Sequence, residues 1–445
     1  MRYFFVGIGG VSMSALAKLL WQQGKQVAGS DAVESSNTKT LKAMGIPVYI
    51  GHSVKNLEQQ PVNYLVINGA IVDDNPEVLY AQKHGIKIVY REALLAQITR
   101  RYQHLIAVAG CHGKSSTTAI IGGIFQQAGL YPTIHNGVQD NLHIGTKKWF
   151  ITEACEFRKS FLKLKPYIAV VTNVDADHLD CYRDLDEIKD CFAQYARQSQ
   201  ILIKHAADVN SLHLQGKERT ITFGLNVGDV HTKNLRRLSS GGYSFELVIN
   251  PQVFGVVYQV PIFRMYVPGL HNVLNALAAI TSALVCKIDL SSIARALALY
   301  KGIARRFQQF AKINHTPVIL DYAHHPRELL TTIQTAQNLY TKYLLVFQPH
   351  TYTRTLSLWD DFVKVLQGVP NLVLYKTYAA RGKSIIGGRA LDLSRALKAK
   401  YIAKPEKLAA YLQEQAARYD AVILCGAGDV VSGEFLRQTS FTTFD

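Results

Sequence analysis

Leu105-Ile106-Ala107-Val108-Ala109-Gly110-Cys111-His112-Gly113-Lys114-Ser115-Ser116 runs from an apolar strand through a glycine turn into lysine and serine at the head of a helical pattern. Backbone N–H groups in such a turn converge, and the helix N-terminus behind them favours negative charge, so the stretch suits a phosphate. Lys114 adds a cation for β- and γ-phosphoryl oxygens, and the Ser115 hydroxyl is a hard oxygen donor for Mg²⁺. The full P-loop pattern places a glycine six residues before the lysine; Val108 stands there, so this is a shortened form. An ordinary strand–turn–helix with an exposed lysine is the plain alternative. The clear strand before and helix after favour phosphate, and with it an α/β sheet of mostly parallel strands.

A similar unit opens the chain. Arg2–Val6 reads as a strand, Gly7-Ile8-Gly9-Gly10-Val11-Ser12 as a glycine turn, Met13–Gln23 as a helix and Lys25–Gly29 as a second strand ending at Ser30-Asp31. This is the opening of a dinucleotide-type fold, with an acid where the second strand stops. An apolar start followed by Ala15-Leu16-Ala17 loosely imitates a secretion signal, but Gly7, Gly9 and Gly10 interrupt it, so the segment is read as mature protein. Strand–helix alternation continues to about residue 102, resumes at Leu105, and begins a third time near Arg305 with strands at Val318–Leu320, Tyr343–Phe347, Asn371–Tyr375 and Ala421–Leu424. The central unit adds a hairpin-like stretch, Gly224–Gly242, and an Ala/Leu-rich helix, Asn272–Cys286. The expected organisation is three α/β domains, 1–102, 103–303 and 304–445, the first Rossmann-like and the second P-loop-type with a mostly parallel sheet.

The chain of 445 residues carries 49 basic and 33 acidic side chains, a net charge of +16. No run of five or six like charges occurs, which favours a diffuse field for small anionic substrates over a nucleic-acid groove, with plain surface composition an equal alternative. No apolar run reaches membrane-spanning length. The six cysteines, at 111, 155, 181, 191, 286 and 425, form no C-x-x-C pair and fit a reducing cytoplasm.

Other loops carry chemistry. The apolar strand Trp149–Glu153 ends in a carboxylate in the same domain as the phosphate turn, where a Mg²⁺ ligand or water-orienting acid belongs; a merely solvated strand-end acid is the plain alternative. Ile168–Asn173 empties into Asp175, Asp177, His178 and Asp180, which suit a hard cation or a capping cluster. Asn272 and Asn275 share one face of a helix and could read a purine edge, with helix capping explaining only one of them. Arg305-Arg306-Phe307 falls at a domain junction, where an arginine could close on phosphate or form a salt bridge. Asp321-Tyr322-Ala323-His324-His325-Pro326 and Gln348-Pro349-His350-Thr351-Tyr352-Thr353-Arg354-Thr355 both follow strands, at the sheet edge where α/β proteins bind ligands. No G-x-S-x-G elbow occurs, which discounts a serine hydrolase.

Taken in order, these stretches resemble the Mur ligases over nearly the whole chain. The His324-His325-Pro326 and Gln348–Thr355 elements, with Gly7-Ile8-Gly9-Gly10, point to the alanine-adding branch of that family. The resemblance implies ATP-dependent addition of L-alanine to the lactoyl carboxylate of UDP-N-acetylmuramate through an acyl phosphate, with Mg²⁺, in cytoplasmic peptidoglycan precursor synthesis. It implies an ATP site of Gly110, His112, Gly113, Lys114, Ser115, Ser116, Asn272, Asn275, Arg306 and Asp321, with Lys114, Glu153, His178 and Arg306 catalytic. Metal would fall to Ser115, Glu153 and His178. The sugar nucleotide would meet Gly9, Gly10, Ser12, Ser30 and Asp31, while His325, His350 and Arg354 would face substrate and amino acid, and the third domain, 304–445, would be Rossmann-like and close over ATP. Nucleic acid and membrane insertion are not expected, and oligomeric state is open. Departures from the family pattern are Cys111 where threonine is usual, Ser115 for threonine, and a basic Tyr378–Lys383 loop in place of an acidic one. Rival readings are a peptide-recycling ligase of the same family, an NAD-dependent dehydrogenase, which leaves Gly110–Ser115 unexplained, and a non-catalytic nucleotide sensor.

Overall fold

The order of strands in the first sheet already marks a crevice. The sheet runs Val48–Ile50, Gln26–Asp31, Arg2–Val6, Tyr64–Ile67, Lys87–Tyr90, all parallel, so the chain winds one way from Arg2–Val6 and then restarts on its other side. Such a reversal opens a ligand crevice at the carboxyl ends of the two middle strands. The computed structural model describes residues 1–59, 61–138, 141–177, 181–380, 382–432, 435, 442 and 443. They divide into two compact units: Met1–Leu235 with Ser244–Arg264 and Val273–Tyr300, and Arg236–Tyr243 with Met265–Asn272 and Lys301–Asp445.

The first unit holds that sheet and a second of ten strands. Its order is Phe263–Met265, Tyr243–Ile249, Val230–Arg237, Arg219–Gly224, Ile201–His205, Ile168–Val171, His104–Ala109, Trp149–Glu153, Thr133–His135, Leu142–His143. His104–Ala109 lies near the middle, parallel to Ile168–Val171 on one side and Trp149–Glu153 on the other. Both faces of these strands are covered, which is why they read as continuous apolar runs. The expected hairpin-like stretch, Gly224–Gly242, contains the hairpin's turn but not its second strand, Tyr243–Ile249. Arg219–Gly224 pairs in parallel with Val230–Arg237, and the tight turn is Leu238–Gly242, where Leu238 N–H donates to the Gly242 carbonyl at 2.8 Å. Paired serines and glycines at 239–242 supply the turn chemistry.

The second unit carries a seven-stranded sheet in the order Lys400–Ile402, Leu372–Tyr375, Tyr343–Gln348, Ala421–Gly426, Thr316–Asp321, Gln308–Ile313, Thr442–Thr443. The five strands from Lys400–Ile402 to Thr316–Asp321 are parallel, as expected. Gln308–Ile313 is an addition: it pairs antiparallel with Thr316–Asp321 across a turn in which Asn314 takes φ +54°. Asparagine tolerates that left-handed conformation better than most residues. Among the described residues no helix is long and apolar enough to cross a membrane.

Candidate active site

Strand His104–Ala109 delivers the chain into a turn stitched to the neighbouring strand's exit. Cys111 N–H donates to the Asn173 carbonyl at 3.3 Å and His112 N–H to Asn173 Oδ1 at 3.0 Å. The His112 carbonyl accepts from Thr172 Oγ1 at 2.6 Å and Asn173 Nδ2 at 3.0 Å. Gly110 takes φ +139°, and a Cβ there would lie 2.0 Å from Thr172 Oγ1. Gly113 takes φ +83° and packs so closely on Asn275 that a Cβ would meet its Oδ1 at 2.4 Å. Helix Lys114–Gln127 starts from Gly113, which has no side chain to cap it, and its first intrahelical bond is Thr117 N–H to the Gly113 carbonyl at 2.9 Å. The N–H groups of the first turn, at Lys114, Ser115 and Ser116, therefore form an anion cradle.

Lys114 lies inside this turn. Its Nζ donates to the Gly110 carbonyl at 2.5 Å, the Cys111 carbonyl at 3.2 Å and Glu156 Oε1 at 2.9 Å. Burial alone would lower the ammonium pKa, but the buried Glu156 carboxylate outweighs it and the value rises above that of an ordinary lysine. Nothing in the sequence alone marks Glu156; its pairing with Lys114 follows from the parallel register that sets Glu153 opposite Val108. Cys111 is also buried, and burial pushes its thiol well above the usual range, so it stands in the turn as a neutral group. Its thiol donates to the Asp175 carbonyl at 3.3 Å.

Glu153 is partly exposed at the strand end, where Oε1 accepts from Gly137 N–H at 2.5 Å. Ser115 stands in the first turn of helix Lys114–Gln127 and Glu153 ends the neighbouring strand, and both offer oxygen donors of the kind Mg²⁺ takes. His178, the third expected metal residue, and Asp180 lie outside the described residues. Asn275 is brought to the phosphate turn, whereas Asn272 Nδ2 donates to the Pro268 carbonyl at 2.7 Å and closes its own turn.

The first glycine turn differs from the expectation in which atoms it offers. Gly7 and Ile8 N–H donate to the Ser30 carbonyl at 2.8 and 2.9 Å, Gly10 N–H to the Gly7 carbonyl at 3.2 Å, and Gly9 N–H to Asp31 Oδ2 at 2.8 Å. Gly9, Gly10 and Asp31 thus shape the turn, and its anion donors are the first N–H groups of helix Val11–Gln22, whose N-cap Gly10 provides no side-chain cap. Ser30 is wholly buried, its hydroxyl donating to Glu77 Oε2 at 2.6 Å, and is not brought to the turn's open side. Ser12 joins the two sheets of this unit: its Oγ lies 3.0 Å from Nε2 of His135, whose Nδ1 is 2.8 Å from Thr152 Oγ1. Burial, with Arg91 nearby, lowers the His135 pKa to about 3, so the ring is neutral.

In the second unit Asp321 accepts from Phe307 N–H and Ala323 N–H, both at 2.8 Å. It fastens the Arg305–Phe307 turn, in which Arg305 and Phe307 take φ +61° and +45°. Arg306 lies over the Tyr322 ring at 5.6 Å and pairs with Glu328 at 3.4 Å. His325 caps helix Pro326–Leu339, accepting from Arg327 N–H at 3.4 Å. His350 stacks on Tyr378, meets His324 edge-on at 5.7 Å, and its Nδ1 lies 3.3 Å from Arg354 Nη1. The structure therefore gathers His350 and Arg354 with His324, a residue that carried no separate role in the sequence reading.

Burial lowers His271, His324 and His350 to about 4 each, with nearby arginines and, for His350, His324 assisting. An unfolded histidine titrates at about 6.5. Between those values the unfolded chain binds more protons than the folded one, so stability falls as pH drops through that window. The unfolding midpoint is expected to be at least ~5 °C lower at pH 5 than at pH 7.5. Histidine NMR is expected to show these rings unprotonated at pH 5; ring titration near pH 6.5 with a flat midpoint contradicts it.

A parallel sheet emptying into a glycine turn, a lysine and an uncapped helix defines a phosphate-binding α/β protein. Residues 2–103 match the Mur ligase family catalytic domain, 108–283 the Mur ligase middle domain, and 305–428 the Mur ligase glutamate ligase domain. A protein of Clostridium acetobutylicum named UDP-N-acetylmuramate–L-alanine ligase is 39% identical, covering 96% of this chain and 95% of its own. Its namesake in Clostridium perfringens is 38% identical, covering 97% and 96%. The crystal structure of UDP-N-acetylmuramate-alanine ligase MurC from Thermotoga maritima superposes with a TM-score of 0.83 at 28% identity, covering 98% of this chain and 99% of that one. A murein peptide ligase from Psychrobacter arcticus shares the fold, with a TM-score of 0.73 at 21% identity over 98% of each chain. The chain belongs to the Mur ligase family and has its three-part α/β fold.

Proposed function

We propose that this chain is an ATP-dependent ligase that joins L-alanine to the lactoyl carboxylate of UDP-N-acetylmuramate in cytoplasmic peptidoglycan precursor synthesis. The observation that carries the proposal is Lys114, its ammonium part-buried in a glycine turn at the uncapped start of Lys114–Gln127. Likeness to the clostridial and Thermotoga ligases supports the substrates and the amino acid. The six cysteines are all free, in keeping with a reducing compartment.

The lactoyl carboxylate attacks the γ-phosphorus, giving an acyl phosphate and ADP. The alanine amine then attacks the acyl carbon, and phosphate leaves. Phosphoryl transfer of this kind depends on positioning and charge neutralisation. Lys114 and the first-turn N–H groups neutralise the transferring phosphoryl, and Asn275 holds the turn's shape from beneath Gly113. Ser115 and Glu153 would hold Mg²⁺, with His178 completing the set; the ion supplies further charge neutralisation on the phosphates. Helix Val11–Gln22 binds the sugar nucleotide's diphosphate. Arg306 serves ATP, Asp321 by fixing the turn that carries it, and His325, His350 and Arg354 serve substrate and amino acid. The domains performing these tasks are 1–102, 103–303 and 304–445.

Phosphate release is expected only when ATP, UDP-N-acetylmuramate and L-alanine are all present, with a product heavier than the sugar nucleotide by one alanyl residue. Faster turnover with a tripeptide than with free L-alanine, or ATP hydrolysis indifferent to the sugar nucleotide, contradicts the proposal.

A further inference from the structure

Two left-handed residues in succession interrupt the short helical stretch after Glu156. Arg158 takes φ 51°, ψ 33° and Lys159 φ 56°, ψ 24°. Each costs roughly 1–2 kcal/mol for a residue with a Cβ, and such residues normally occur singly. Surrounding bonds impose the conformation. Lys159 N–H donates to the Glu156 carbonyl at 2.8 Å and Phe161 N–H to the Cys155 carbonyl at 2.9 Å, while Lys159 Nζ pairs with Glu187 at 2.7 Å. Phe161 is wholly buried among aromatic neighbours, stacked on Tyr195 and edge-on to Phe192. Strain that is held in place this firmly is a mark of functional positions.

Its effect is to carry a guanidinium out of the phosphate-turn domain to the mouth of the other sheet in the same compact unit. Arg158 Nη1 donates to the Gly69 carbonyl at 3.1 Å. Gly69 follows strand Tyr64–Ile67, and the strand order reverses between that strand and Arg2–Val6. The loops leaving the two strands touch: a Cβ on Gly7 would lie 3.4 Å from Ile71 Cδ1 and 3.9 Å from Asn68 Nδ2. Arg158 thus stands over the ligand crevice of the first sheet. One of its five donors is taken by Gly69, and no carboxylate pairs with it among the described residues. Arg91 approaches from the same sheet, with Nη1 3.5 Å from Ser12 Oγ at the start of helix Val11–Gln22.

We infer that Arg158 is a substrate-binding residue, closing on the diphosphate of the sugar nucleotide held at the start of Val11–Gln22. The inference rests on the proposed function for the identity of that nucleotide. A diphosphate brings more negative charge than one uncapped helix end neutralises, and a guanidinium fork suits paired phosphate oxygens.

Calorimetry with UDP-N-acetylmuramate and UDP-N-acetylglucosamine tests it, the second probe having the diphosphate but no lactoyl carboxylate. Arg158→Asn removes the charge while keeping a side chain that tolerates the left-handed backbone. It is expected to weaken both sugar nucleotides about tenfold, leave ATP affinity unchanged and keep the unfolding midpoint within ~2 °C, with Arg158→Lys recovering part of the loss. Unchanged affinity for both probes overturns the inference, and so does a loss confined to UDP-N-acetylmuramate, which would assign Arg158 to the carboxylate. Wild-type protein that binds neither probe refutes the substrate proposal itself, which separates the two failures.

Discussion

Lys114→Ala is expected to lower kcat/KM by at least ~10³-fold, about 4 kcal/mol of transition-state stabilisation, because its ammonium is held, part-buried, in the phosphate turn itself. The same change leaves Glu156 buried without its cation, and breaking a buried pair in that way costs about 3–5 kcal/mol of stability. Loss of activity alone would then be ambiguous. The double variant Lys114→Met with Glu156→Gln removes both charges together and is expected to regain most of the lost unfolding midpoint while remaining inactive. Single-turnover phosphate release, read beside thermal unfolding, checks this. A folded double variant with near wild-type turnover would show that Lys114 has no part in the chemistry.

Gly113→Ala is the second large effect. At φ +83° an L-residue costs roughly 1–2 kcal/mol, and the new Cβ would lie 2.4 Å from Asn275 Oδ1. Asn275 is buried on helix Leu270–Val285, so the phosphate turn must move instead. A rise of at least tenfold in KM for ATP is expected, with ~2 kcal/mol or more of lost stability. In an Asn275→Ala background the clash disappears and only the backbone cost remains, so the stability penalty of Gly113→Ala is expected to shrink by about half. An equal penalty in both backgrounds would show that Gly113 and Asn275 do not act together.

The strands that form the parallel sheets were legible because burial on both faces writes itself as short apolar runs. Arg2–Val6 and Trp149–Glu153 are found where the residues place them. Gln308–Ile313 escaped notice because its polar residues leave no clear alternation, and its pairing depends on the turn at Asn314. The hairpin-like stretch Gly224–Gly242 does contain the turn, Leu238–Gly242, but the second strand, Tyr243–Ile249, lies beyond its bounds because serine and glycine pairs mark a turn and not how far the strand after it runs. At the site, residue types identified Lys114 and its glycines, but not what holds them. Glu156, Thr172 and Asn173 become partners of the turn only once parallel register lays three strand ends side by side. Ser30 illustrates the converse: a polar residue after a strand suggests a ligand, yet its hydroxyl is bound to a buried carboxylate.

The central claim is that the Gly110–Gly113 turn and Lys114 grip the terminal phosphoryl groups of ATP. A crystal structure with a non-hydrolysable ATP analogue tests it most directly. Phosphoryl oxygens within hydrogen-bond distance of Lys114 Nζ and the N–H groups of Lys114, Ser115 and Ser116, with the lysine drawn away from Glu156, are expected. An analogue bound elsewhere, with the Lys114–Glu156 pair and the turn unchanged, would contradict the account.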